Sequence, residues 1–115
     1  MSRKLRKQLT PPEAAAAVFA ALGDETRLFI IARLSDGRPC SIAQLTVGSE
    51  LTRQAVTKHL RVLESARLVR SVREGRESRF ELDPQPLEDA REYLAGVSEQ
   101  WDQALDRLKS FVERS

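Results

Sequence analysis

One cysteine, Cys40, and one histidine, His59, are the only thiol and the only imidazole in these 115 residues. A lone cysteine cannot close an intrachain disulfide. One thiol and one imidazole also fall short of the several ligands that a zinc, copper or nickel site requires. No run approaches the roughly 18 apolar residues of a membrane span. The basic start, Met1-Ser2-Arg3-Lys4-Leu5-Arg6-Lys7, lacks the apolar stretch of a secretory signal. These absences make a cytoplasmic protein the default expectation. Catalysis finds little footing either: there is no glycine-rich phosphate loop, no His/Cys cluster, and no histidine free for a triad. Carboxylates such as Glu88 and Glu92, four apart, fit a solvated helix surface. Cys40 is expected to act as a buried small hydrophobe, with nothing nearby to support a redox role.

What is present fits one globular domain, with 41% hydrophobic and 31% charged residues. A chain this short buries a modest fraction of its surface, so a partner subunit would help. The net charge is only +2, but its distribution is uneven. Residues 1–9 carry four bases and no acid, and are expected to form a disordered basic tail. Residues 53–79 carry eight bases against three acids, and residues 80–115 carry nine acids against four bases. A phosphate backbone would be drawn to the middle of the chain and repelled by its end.

Local signals divide residues 10–115 into elements. Thr10-Pro11-Pro12-Glu13 reads as a capped helix start, Ala14 to Leu22 continue it, and Gly23 stops it. Asp24 caps a second helix whose apolar face is read as Leu28, Ile31, Ala32 and Leu34, flanked by Phe29 and Ile30. Asp36-Gly37 ends it. Ser41 caps a short third helix through Ile42, Ala43 and Leu45, and Gly48-Ser49-Glu50 forms a turn. Thr52 caps a fourth helix, with Leu51 and Val56 at the spacing of a hydrophobic staple. Val56, Leu60 and Leu63 make its buried stripe, while Arg53, Gln54, Thr57, Lys58 and Arg61 fall mostly on the other faces. Alternation from Leu68 to Arg73 and from Ser78 to Leu82, around Glu74-Gly75-Arg76-Glu77, predicts a β-hairpin with an arginine-rich tip.

The last helix, roughly Leu87 to Glu113, has two apolar series at a spacing of seven. They are Leu87, Leu94, Trp101, Leu108 and Ala90, Val97, Ala104, Phe111. Such a seam calls for a second helix against it, and a domain this small cannot cover it alone. The expected fold is mainly α with a small β-hairpin: a winged helix-turn-helix with a long C-terminal dimerisation helix. The dimer interface is expected at Leu87, Leu94, Val97, Trp101, Ala104 and Leu108, with the alanine-rich first helix alongside.

A short helix, a turn and a longer helix with a polar outer face form a helix-turn-helix, whose second helix enters the major groove. Arg53, Gln54, Thr57, Lys58 and Arg61 are the candidate DNA contacts on it. Arginine and lysine suit guanine, and glutamine suits adenine. Arg73, Arg76 and Arg79 on the hairpin are candidate contacts to phosphate or the minor groove. His59 has two readings, a phosphate contact or a side chain packed between helices.

The run Phe19-Ala20-Ala21-Leu22-Gly23-Asp24-Glu25-Thr26-Arg27-Leu28 resembles the N-terminal signature of the ArsR/SmtB winged-helix repressors. The run from Leu51 to Glu64 is similar to that family's recognition helix, and Leu68-Val69 to its exit into the wing. The resemblance spans about residues 14–112. It implies a homodimer built from the first and last helices and an operator with two-fold symmetry. It further implies repression by occlusion, with Thr52, Gln54, Thr57 and His59 near DNA. Two departures stand out. The family often has glycine where this chain has Arg67. A left-handed turn would cost arginine about 1 kcal/mol, so the turn is expected to close differently. The cysteines and histidines of the metal-sensing members are also missing from the third and last helices. The expectation is therefore a metal-independent, cofactor-free regulator that binds double-stranded DNA. The alternatives are a winged-helix protein-interaction module and a repressor with a carboxylate metal site. The operator and any small-molecule effector stay open.

The ligand count predicts that Zn²⁺, Cu⁺ and Ni²⁺ bind too weakly to control the protein. Titration calorimetry should give no submicromolar stoichiometric binding, and DNA release by any of these ions would contradict the expectation.

Overall fold

A computed structural model describes residues 13–114. The expected tail over residues 1–9, the Thr10 cap, Pro11 and Pro12 lie outside the described residues. The elements are α1 (Glu13–Leu22), α2 (Glu25–Leu34), β1 (Cys40–Ser41), α3 (Ile42–Thr46), α4 (Arg53–Ser65), β2 (Val69–Glu74), β3 (Glu77–Leu82) and α5 (Gln85–Arg114). This is a mainly helical winged helix-turn-helix with a small antiparallel sheet and a long last helix.

Side-chain caps start the helices where local chemistry asks for them. Asp24, in an extended conformation, accepts the Arg27 N–H at 3.0 Å. Ser41 and Gln44 form a reciprocal capping box: Ser41 Oγ accepts the Gln44 N–H at 3.1 Å, and Gln44 Oε1 accepts the Ser41 N–H at 2.8 Å. Thr52 Oγ1 accepts the Ala55 N–H at 3.0 Å. Each satisfies backbone donors that the helix itself leaves orphaned.

The core joins Val18 and Ala21 of α1, Ile30, Ile31 and Leu34 of α2, and Leu45 of α3. It continues through Val56, Leu60 and Leu63 of α4 to Leu68, Val69, Phe80 and Ala90. The face of α2 differs from the expectation. Ile30 is fully buried, whereas Leu28 is half exposed and Ala32 is exposed. Five apolar residues in a row, Leu28 to Ala32, leave the helical period undefined, and packing against α4 decides which of them turn inward.

The turn after α4 also differs from the expectation. Arg67 takes the left-handed conformation, with φ 62°. Its N–H donates to Glu64 O at 2.9 Å, and the Leu68 N–H donates to Leu63 O at 3.0 Å. These are the two bonds of a Schellman motif, and Leu63 and Leu68 are both fully buried across it. The hydrophobic clasp and the two bonds outweigh the local cost of a left-handed arginine.

The sheet has a third strand that the sequence pattern misses. Its order is β1-β3-β2, antiparallel throughout, with Cys40 opposite Phe80 and Ser41 opposite Arg79. Two residues are too few to show alternation. Cys40 is half-buried against the core.

Helix α5 begins two residues before the expected Leu87, because the Asp83 carboxylate accepts the Gln85 N–H at 3.1 Å. Its first turns are held by α1, where the Phe19 and Tyr93 rings lie 6.1 Å apart at 46°. Ala90 is its buried residue. Leu87, expected in the intersubunit seam, is half-buried against the chain's own core. Beyond that point the helix leaves the core, and Leu94, Trp101 and Leu108 are each more than half exposed. The radius of gyration is 19.1 Å, against about 13 Å for a compact chain of this length.

The Arg67 geometry yields a stability prediction. Arg67→Gly should raise stability by about 0.5–1 kcal/mol by relieving the left-handed cost. Urea unfolding should show a higher midpoint at an unchanged slope, and a lower midpoint would contradict the account.

Candidate nucleic-acid interface

The helix-turn-helix is α3, the turn from Val47 to Thr52, and α4. Gly48, at φ 76°, reverses the chain. Ser49 locks the reversal: its N–H and its Oγ both donate to Thr46 O, at 3.1 and 2.9 Å. Arg33 reaches across from α2 and donates to Gln44 O at 3.0 Å and Val47 O at 3.3 Å. It thereby ties the open end of α3 to α2. Leu51 and Val56 then pack into the core on either side of the Thr52 cap.

Burial of one stripe orients the rest of α4. Val56, Leu60 and Leu63 are all at most 1% exposed. At about 100° per residue, the helix sets Arg61, Gln54 and Lys58 opposite that stripe and Arg53 and Thr57 on its flank. Together with Val62 they line one open concavity of about 650 Å³. Arg53, Gln54, Lys58 and Arg61 are exposed. No ion-pair partner engages any of these cations among the described residues. The Thr57 hydroxyl donates to Arg53 O at 2.8 Å, and that of Thr52 holds the cap, so both are partly engaged. His59 sits apart from the group. Its Nδ1 lies 3.3 Å from Arg27 Nη1 and 3.8 Å from Asp24 Oδ1. The ring is 23% exposed, which is the packed position between helices. The Arg27 N–H bonded to Asp24 holds that carboxyl below its ordinary range, and the Arg27 charge adds to the effect.

The wing is a two-residue hairpin with Glu74 opposite Glu77. Gly75 takes φ 63° at the first turn position and Arg76 does not take positive φ, the pattern of a type II′ turn. The three wing arginines, expected as one cluster, do not share a face. Arg73 pairs with Ser78 while Arg79 pairs with Val72, so the two project from opposite sides of the ribbon. Arg79 lies between the two glutamates, 3.5 Å from Glu74 Oε2 and 3.2 Å from Glu77 Oε2. It offsets two like charges set directly opposite one another. Arg76 is exposed at the tip, and Arg73 is exposed with its Nε donating to Gly75 O at 3.4 Å.

Residues 22–72 match a helix-turn-helix domain family. The HTH-type transcriptional regulator Rv2034 of Mycobacterium tuberculosis is 38% identical over 93 residues, covering 81% of this chain and 83% of that protein. An ArsR-like transcriptional regulator from Rhodococcus sp. RHA1 superposes over 100% of this chain and 99% of its own, with a TM-score of 0.80 and 34% identity. The chain belongs to the ArsR family. As an ArsR-family protein it is a transcriptional regulator carrying a helix-turn-helix DNA-binding domain. The homodimeric winged helix-turn-helix DNA-binding domain Mb0332 of Mycobacterium bovis shares the fold, with a TM-score of 0.63 at 23% identity over 93% of both chains. Among the described residues of this ArsR-family chain, no three His, Cys, Asp or Glu side chains group to hold a metal ion. No described helix is long and apolar enough to cross a membrane.

Sequence reading misses two positions here. Arg33 clasps the turn, and Arg27 contacts His59. Each bond spans more than ten residues and leaves no local pattern.

The two wing arginines should therefore behave differently. Arg79→Ala leaves Glu74 facing Glu77 and should speed amide exchange across the hairpin. Arg76→Ala should leave that exchange unchanged and lower the salt slope of DNA binding by about one. Equal effects of both substitutions on both measurements would contradict the assignment.

Proposed function

We propose that the protein is a homodimeric repressor that occupies a two-fold symmetric operator and blocks the promoter, working in the cytoplasm. The observation that carries this reading is the outer surface of α4: five polar side chains line one open concavity on a helix whose Val56, Leu60 and Leu63 stripe is fully buried. Arg53 and Gln54, on its first turn, read base edges in the major groove. Thr57, Lys58 and Arg61 complete the contact, with Thr52 at the helix start. Arg76 and Arg73 on the wing hold the phosphate backbone. Arg79 contributes by keeping the hairpin ordered, and His59 by packing α4.

The dimer rests on the second half of α5. Leu94, Trp101 and Leu108 are exposed there, with Val97 and Ala104 half-buried beside them. Leaving that stripe wet forfeits about 25 cal/mol for every Å² of apolar surface. The same helix of a second subunit, with α1 alongside, covers it. The Mycobacterium bovis relative of the same fold is homodimeric, which agrees with this reading. A two-fold pair sets the α4 helices about 34 Å apart, one turn of DNA.

Trp101→Glu tests both halves of the proposal. It should convert the dimer to a monomer by sedimentation and abolish the gel shift on DNA recovered from a random pool by the parent protein. A mutant that stays dimeric, or a monomer with full affinity, refutes the seam. On the same DNA, Arg53→Ala and Gln54→Ala should each relax base preference by about 1–3 kcal/mol at one position. A parent protein with no salt-dependent shift on any duplex would refute DNA binding and favour a protein-interaction module.

A further inference from the structure

The contact between Arg27 and His59 joins three elements. Arg27 belongs to the first turn of α2. Its Nε donates to Ala21 O at 2.6 Å and its Nη2 to Ala20 O at 3.5 Å, both carbonyls at the end of α1. Its Nη1 lies 3.3 Å from His59 Nδ1 on α4. Arginine offers no acceptor, so across this contact Arg27 Nη1 donates and His59 Nδ1 accepts. One rigid guanidinium thus spans the end of α1 and the middle of α4. The backbone of Arg27 is fixed in turn by the Asp24 cap, which accepts its N–H at 3.0 Å.

Helix α1 packs along the start of α5, through Phe19 and Tyr93, and so belongs to the part of the molecule that carries the dimer seam. The outer face of α4 is the surface proposed to read bases. Between them, among the described residues, His59 on α4 meets Arg27 Nη1 at 3.3 Å and Asp24 Oδ1 at 3.8 Å, and of these two partners it is Arg27 whose side chain also bonds α1. Apolar packing of Val18 and Ala21 also joins the core, but apolar attraction is non-directional, whereas a planar fork with three acceptors carries an angular preference. We infer that Arg27 is a positioning residue that fixes the angle of α4 relative to α1, and thereby the spacing between the two half-sites that the dimer accepts. His59 is its contact on the recognition helix. The inference rests on the proposed homodimer and its two-fold operator.

The test uses full-length protein and an inverted repeat recovered by the parent protein from a random duplex pool. The spacer between half-sites is then altered one base pair at a time, each step rotating one half-site by about 35° relative to the other. The parent should prefer one spacing by at least about tenfold. Arg27→Gln should bring that preference to about threefold or less, while the dimer persists by sedimentation. His59→Ala leaves the bonds to α1 intact and serves should Arg27→Gln not fold. It should relax the preference in the same way, and His59→Asn, which keeps an acceptor near the Nδ1 position, should restore it. The double variant should be no more relaxed than Arg27→Gln alone.

A residue that merely stabilised the fold would lower the melting temperature and leave the spacing preference at its parental value. That result overturns the inference and leaves the dimeric repressor standing. So would additive effects of the two substitutions, or equal binding by His59→Ala and His59→Asn. A parent protein that recovers no inverted repeat, or sediments as a monomer, overturns the reading beneath the inference and the inference with it.

Discussion

Burial of Val56, Leu60 and Leu63 is the interaction on which the rest of the structure depends. Those three side chains meet α2 and the root of the sheet in one core, and their burial alone determines which side of α4 faces outward. Every device around them protects that arrangement. Thr52 and the Leu51 staple fix where the helix begins. The Schellman turn at Arg67 fixes where it ends and aims the chain into β2. Arg33 fixes the open end of α3, so the angle between the two helices of the motif is held by a side chain from a third.

A second constraint is one of length. Helix α5 has 30 residues, about 45 Å at 1.5 Å per residue. The core of this chain covers only its beginning. The remainder carries an apolar stripe with no described partner for Leu94, Trp101 or Leu108. A single copy therefore has one half that is complete, the winged motif, and one half that asks for another helix. The charge division follows the same line: the excess of bases lies in α4 and the wing, and the excess of acids in α5.

Much of this was legible because the signals were local. The caps at Asp24, Ser41 and Thr52, the 3-4 stripe of α4, the glycine turn of the wing and the heptads of α5 all span fewer than eight residues per repeat. The outward set on α4 followed from the stripe by helical geometry. What stayed hidden was non-local or competitive. Strand β1 exists only because Cys40 and Ser41 find Phe80 and Arg79. The inward face of α2 was undefined within five consecutive apolar residues. Arg67 took a conformation that its own propensity opposes, because two fully buried leucines close over it. Arg79 looked like one of three equivalent wing arginines. The register placing Glu74 opposite Glu77 gives it a structural task and puts it on the other face from Arg73. His59 sat in the middle of a basic helix, yet at the edge of the buried stripe, where α2 supplies its partner.

The central claim is that two copies of this chain hold their α4 helices at a fixed separation matched to one turn of DNA. Spin labels at Lys58→Cys, in a Cys40→Ser background, measure that separation directly by pulsed dipolar spectroscopy. The account predicts a narrow distance distribution centred near 34 Å, allowing for the label arms. A protein without any intermolecular distance, or with a broad distribution centred far from one helical turn, would contradict it.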